Sequence, residues 1–81
     1  MKLYVSNISF HTTETDLKEM FSRFGIVQSV NLIVDKLTGK TKRFGFVEMP
    51  SEPEAVTAME KLNNKEIEGR MLSVTFARGR R

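Results

Sequence analysis

Two hydrophobic periodicities alternate along this chain in a fixed order, and that order constrains the fold more than any other feature. Lys2 to Ser6 sets Leu3 and Val5 between Lys2, Tyr4 and Ser6, the period-two pattern of a strand with two unlike faces. Thr13-Glu14-Thr15-Asp16 then reads as a capped helix start, followed by Leu17, Met20, Phe21 and Phe24 at helical spacing, with Gly25 as the expected stop. Ile26 to Val34 is β-branched and alternates through Val30 and Leu32, Asp35 to Gly39 is turn-rich, and Phe44 to Met49 resumes strand character. Ser51-Glu52-Pro53-Glu54 combines a cap, an early proline and a glutamate at the third helical position. It leads into Ala55, Ala58, Met59 and Leu62, with Asn63-Asn64 ending the second helix. A last strand is expected from about Met71 to Ala77, with Leu72, Val74 and Phe76 on one face and Met71, Ser73 and Thr75 on the other.

The order is βαββαβ. With short connections and right-handed crossovers it closes into an α+β, ferredoxin-like sandwich, a four-stranded antiparallel sheet with two helices on one face. The helices should cover Leu3, Val5, Val30, Leu32, Gly45, Val47, Met49, Leu72, Val74 and Phe76, using Leu17, Phe21, Phe24, Ala55, Met59 and Leu62. The opposite sheet face is left without a layer, so its residues decide what the domain does. Eighty-one residues make one domain, 1–77, followed by a short tail, 78–81. A chain of this size buries only about 60 to 65% of its unfolded surface, too little for a deep, dry catalytic cavity. A binding surface is expected, and no enzyme. The absence of cysteine excludes disulfides, thiolate metal sites and cysteine nucleophiles, and points to a reducing compartment, the cytoplasm. No apolar run approaches the roughly 18 residues of a membrane span.

Charge is segregated along the chain. Residues 1–77 hold ten basic and ten acidic side chains, so the net charge of +3 comes from Arg78, Arg80 and Arg81. Lys36, Lys40, Lys42 and Arg43 form a basic stretch without an acid, whereas Glu48 to Glu68 carries six acids against Lys61 and Lys65. The basic stretch runs into aromatic residues. Strand parity sets Lys42, Phe44, Phe46 and Glu48 on the face opposite Gly45, Val47 and Met49, and Tyr4 joins them from the first strand. Rings pointing away from the helices cost solubility, whereas rings offered to unpaired bases are stacking platforms worth roughly 1–3 kcal/mol per base. This pattern calls for a planar partner.

These residues resemble those of the RNA recognition motif family over essentially the whole chain. Leu3-Tyr4-Val5-Ser6-Asn7-Ile8 looks like the family's first-strand hexamer. Lys42-Arg43-Phe44-Gly45-Phe46-Val47-Glu48-Met49 looks like its third-strand octamer and matches five of seven defined positions. The likeness is greatest to the small bacterial proteins built of one such motif. It departs at Arg43, where the family usually has glycine, and at Met49, which replaces an aromatic at an inward position.

The resemblance implies single-stranded RNA as partner, with Tyr4 and Phe46 stacking bases and Phe44 packing against sugars. Lys2, Lys42, Arg43, Arg78, Arg80 and Arg81 are assigned to phosphates, a term blind to sequence. Ser6, Asn31, Ser73 and Thr75 share the open face and are the candidates for reading base edges. As small hydroxyls and an amide they imply weak base preference. Single-stranded DNA should bind more weakly, the chain should be a monomer, and neither cofactor nor metal is called for. The rival reading is a protein-binding module using the acidic second helix. Gly39-Lys40-Thr41 lacks the earlier glycine of a phosphate-binding loop, since position 34 is Val. His11, the single histidine, has no partner for a metal.

Overall fold

A computed structural model of the chain describes residues 1–9, 11–39 and 41–77, with the side chains of Thr41 and Lys42 left aside. Alternation at Lys2–Ser6 makes strand β1, and the capped segment Glu14–Ser22 makes helix α1. The hairpin strands are β2 (Ser29–Val34) and β3 (Thr41–Glu48), followed by helix α2 (Glu52–Leu62). Two short strands, β4 (Glu66–Ile67) and β5 (Arg70–Met71), precede β6 (Ser73–Phe76). The main sheet runs β2-β3-β1-β6 with antiparallel neighbours, the arrangement the order of periodicities implies.

Parity sorts the sheet as expected. Leu3, Val5, Val47, Met49, Leu72 and Val74 are buried with Leu17, Phe21, Ala55, Ala58 and Leu62 in one cluster, while Val30, Leu32, Phe24, Met59 and Phe76 pack around it. Burial of such side chains at about 1.5–3 kcal/mol each is the main force holding both helices to one sheet face. Gly45 lies in this layer because β2 and β3 come close there. A Cβ at Gly45 would meet the Asn31 carbonyl oxygen at 2.6 Å and the Leu32 Cα at 3.1 Å.

Local expectations fail where partners distant in sequence intervene. Thr13 and Asp16 form a reciprocal capping box at α1, but Ser51 makes no side-chain cap at α2. The Glu54 carboxylate that would have completed a second box instead accepts from the Ile26 backbone N–H at 3.1 Å. Gly25 is accordingly no helix stop: α1 ends at Ser22 with Arg23 as its cap, and a Cβ at Gly25 would overlap the Glu54 side chain. β2 begins at Ser29 rather than Ile26, which is 70% exposed. β3 begins at Thr41, ahead of Phe44, through a bulge between Leu32 and Val34.

The expected last strand is broken in two. Glu68 (φ 53°) and Gly69 (φ 81°) form a two-residue turn of the left-handed kind that suits hairpins, pairing Ile67 with Arg70. Asn7, itself at φ 58°, ties this hairpin to the end of β1: its Nδ2 donates to the Met71 carbonyl and its Oδ1 accepts from Arg70 Nη2 at 2.6 Å.

Both edges of the sheet carry a side-chain stopper. Glu14 Oε2 accepts from the Leu32 N–H on β2 at 3.0 Å, and Asn63 Oδ1 accepts from the Val74 N–H on β6 at 3.0 Å. Each removes a free edge donor that another strand could use. No helix among the described residues is long and apolar enough to cross a membrane.

Candidate nucleic-acid interface

The uncovered face is organised in rows across the strands. Asn31, Phe46, Tyr4 and Thr75 form one row through the pairings Asn31–Phe46, Tyr4–Phe46 and Tyr4–Thr75. Phe44, Ser6 and Ser73 form the next, and Ser29, Glu48 and Lys2 the row on the other side. Residues paired in register on an antiparallel sheet share a face, so these side chains stand together opposite the helices.

The three rings are in mutual contact. Tyr4 lies 5.9 Å from Phe44 and 5.6 Å from Phe46 between centroids, both tilted, and Phe44 meets Phe46 edge-on at 6.4 Å. These separations fall within the range of favourable aromatic pairs. The rings are half-buried rather than fully exposed as parity alone implied, because each covers part of its neighbours. The solubility cost of the apolar face is thereby reduced, while each ring keeps a surface open to solvent. Beside them, Tyr4, Phe46, Thr75, Phe76 and Ala77 line a shallow depression of about 240 Å³. Phe76 pairs with Leu3 and packs against the core on the helix-facing side, as parity implies.

The basic groups are distributed unevenly. Lys2 Nζ sits 5.7 Å from the centroid of Phe46, over its ring. In this position the ammonium faces the ring in a cation–π contact. Arg43 occupies a left-handed backbone conformation, φ 68°, at the bulge of β3, and its carbonyl accepts from the Ile8 N–H at 3.0 Å. A residue with a Cβ costs roughly 1–2 kcal/mol in that conformation, which glycine avoids. That is the physical meaning of the glycine usual at this position: Arg43 keeps the glycine backbone and bears a cation on it. The Lys42 side chain and the tail residues Arg78, Arg80 and Arg81 lie outside the described residues.

Ser6 and Ser73 are half-buried and Asn31 and Thr75 exposed, all on the ring-bearing face. Ala77, whose N–H donates to the Lys2 carbonyl, extends β6 past the row of Tyr4. Outside the predicted set, the structure adds the Asn7–Arg70 clamp at the Ser6 end of the face. No periodicity announces it, since Asn7 follows the last alternating residue and Arg70 belongs to a hairpin that only the Glu68-Gly69 dipeptide signals.

Comparison with known proteins agrees with this geometry. The family model described as RNA recognition motif matches residues 3–73. The chain belongs to the RNA recognition motif family. A relative from Nostoc sp., named "Putative RNA-binding protein RbpB", is 44% identical over 80 residues, spanning 99% of this chain and 78% of its own. A relative of Synechocystis sp. named RbpA in the same manner is 40% identical, covering 99% of this chain and 79% of its own. The crystal structure of RNA binding protein PG1 superposes with a TM-score of 0.93 at 40% identity, over 100% of this chain and 98% of that one. In terms of the RNA recognition motif, the Met49 departure is a core exchange: the side chain is completely buried among the helix-facing residues and leaves the ring-bearing face unchanged.

Proposed function

We propose that the chain binds single-stranded RNA across the open face of its sheet, with Tyr4 and Phe46 each stacking a base and Phe44 packing against the sugars between them. The observation that carries this reading is the contiguous set of three contacting rings on a face that no helix covers. Family membership and relatives named for RNA binding support it. Lys2, Lys42 and Arg43, with Arg78, Arg80 and Arg81 of the tail 78–81, supply phosphate contacts, and Ser6, Asn31, Ser73 and Thr75 touch base edges. Single-stranded DNA binds more weakly to the extent that 2′-hydroxyls are read. The domain is a binding module rather than an enzyme and acts as a monomer, a reading supported by the stoppers on both sheet edges.

The test is a titration of a short single-stranded RNA at several salt concentrations, with the wild-type chain and with Arg43→Gly. Log affinity should fall by about 0.7 per decade of salt for each phosphate neutralised. Arg43→Gly should flatten that slope by about 0.7. A wild-type chain that fails to bind at low salt removes the RNA reading. An unchanged slope in the variant removes Arg43 from the phosphate contacts.

A further inference from the structure

Among the described residues paired in the main sheet, Glu48 is the single acid on the ring-bearing face, where a polyanion is proposed to lie. It shares a row with Lys2 and Ser29, two residues beyond Phe46 on β3, and it is half-buried. The cation directly across from it, Lys2, sets its ammonium over the Phe46 ring. No hydrogen bond or ion pair engages the Glu48 carboxylate among the described residues.

A carboxylate accepts hydrogen bonds and donates none, so it cannot contact a phosphate, and near one it repels. The N–H groups of a base are the part of an RNA that suits it. Adenine and cytosine each set an amino group beside a ring-nitrogen acceptor, and uracil sets its single N–H between two carbonyls. Guanine alone presents two neighbouring donors, N1–H and the N2 amino group, matched to the two oxygens of a carboxylate.

We infer that Glu48 selects guanine at the nucleotide stacked on Phe46, accepting from N1–H and N2–H through its two carboxylate oxygens. This assignment rests on the single-strand reading above and adds base identity to it. Small hydroxyls elsewhere on the face remain tolerant, so selectivity is confined to this position.

Three RNA octamers test it: all uridine, the same with two central uridines replaced by guanosine, and the same with inosine there, which keeps N1–H and lacks the N2 amino group. The wild-type chain should bind the guanosine octamer about tenfold more tightly than the uridine octamer, with inosine between, the worth of one good bidentate contact. Glu48→Gln, which is nearly isosteric, should lose most of the guanosine-over-inosine step, and Glu48→Ala should lose it entirely, with melting curves confirming both folds. If both variants bind all octamers more tightly by one common factor and the ratios stay as in the wild type, Glu48 merely repels phosphate and the assignment is overturned. A wild-type chain without guanosine preference overturns it as well. Phe46→Ala in the same series separates the two readings. If it weakens every octamer while the Glu48 variants leave the ratios unchanged, only the base assignment fails; if it weakens none, the sheet-face reading fails first.

Discussion

Replacing Phe46 by alanine should weaken binding of a short single-stranded RNA by about 1–3 kcal/mol, some five- to 150-fold, and Tyr4→Ala should do the same, with the fold retained in both. The magnitude follows from removal of one stacking platform, and the retained fold follows from position. Both rings lie on the face away from the buried cluster, so their truncation opens no cavity in the core. They are not independent, however. Tyr4 and Phe46 pair directly across β1 and β3 with centroids 5.6 Å apart, so losing either removes part of what orients the other. The doubly substituted chain should therefore deviate from the sum of the single effects, as contacting residues do. Isothermal titration of one oligonucleotide against the four proteins reads all of this. Unchanged affinity in both single variants would move the binding surface elsewhere.

Phe21→Ala should have the opposite character. Phe21 is a fully buried side chain on α1 and a member of the core cluster between the helices and the sheet. Truncating a buried phenylalanine costs about 3–5 kcal/mol, a large share of the 5–15 kcal/mol that holds a small domain folded. For a domain of this length that corresponds to a fall in Tm of more than about ten degrees. RNA binding should fail only as the protein unfolds and persist at temperatures where the variant is still folded. Melting curves with and without RNA distinguish this from the ring variants. A Phe21→Ala chain melting within about two degrees of the wild type would contradict the assignment of α1 to the core.

The contrast between these phenylalanines was legible in the sequence, because a period of two sorts β3 without knowledge of its neighbours. Phe44 and Phe46 fall on one face and Gly45 and Val47 on the other, and once β1 is placed beside β3 the same counting brings Tyr4 to the rings. Position along a strand carries no information about how rings settle against each other, so their half-burial was invisible. Contacts made by irregular segments were equally hidden. Ile8, Ser9 and Thr12 are buried in the stretch between β1 and α1, where no period exists to point inward. The glutamate half of the α2 capping box is missing because Glu54 accepts from the Ile26 N–H 28 positions away, a competition that local signals do not register. The left-handed backbone at Arg43 was hidden for a related reason: the residue type argues against it, and the bulge facing β2 imposes it.

The central claim, that single-stranded RNA lies on the sheet face held by Tyr4, Phe44 and Phe46, is tested most directly by following backbone amide resonances of the labelled chain as a short oligonucleotide is added. Shifts should concentrate on β1, β3 and β6 and at Ala77, saturating together, while the solvent faces of α1 and α2 stay unmoved. Shifts confined to the helices, with Tyr4, Phe44 and Phe46 unperturbed at saturation, would contradict it.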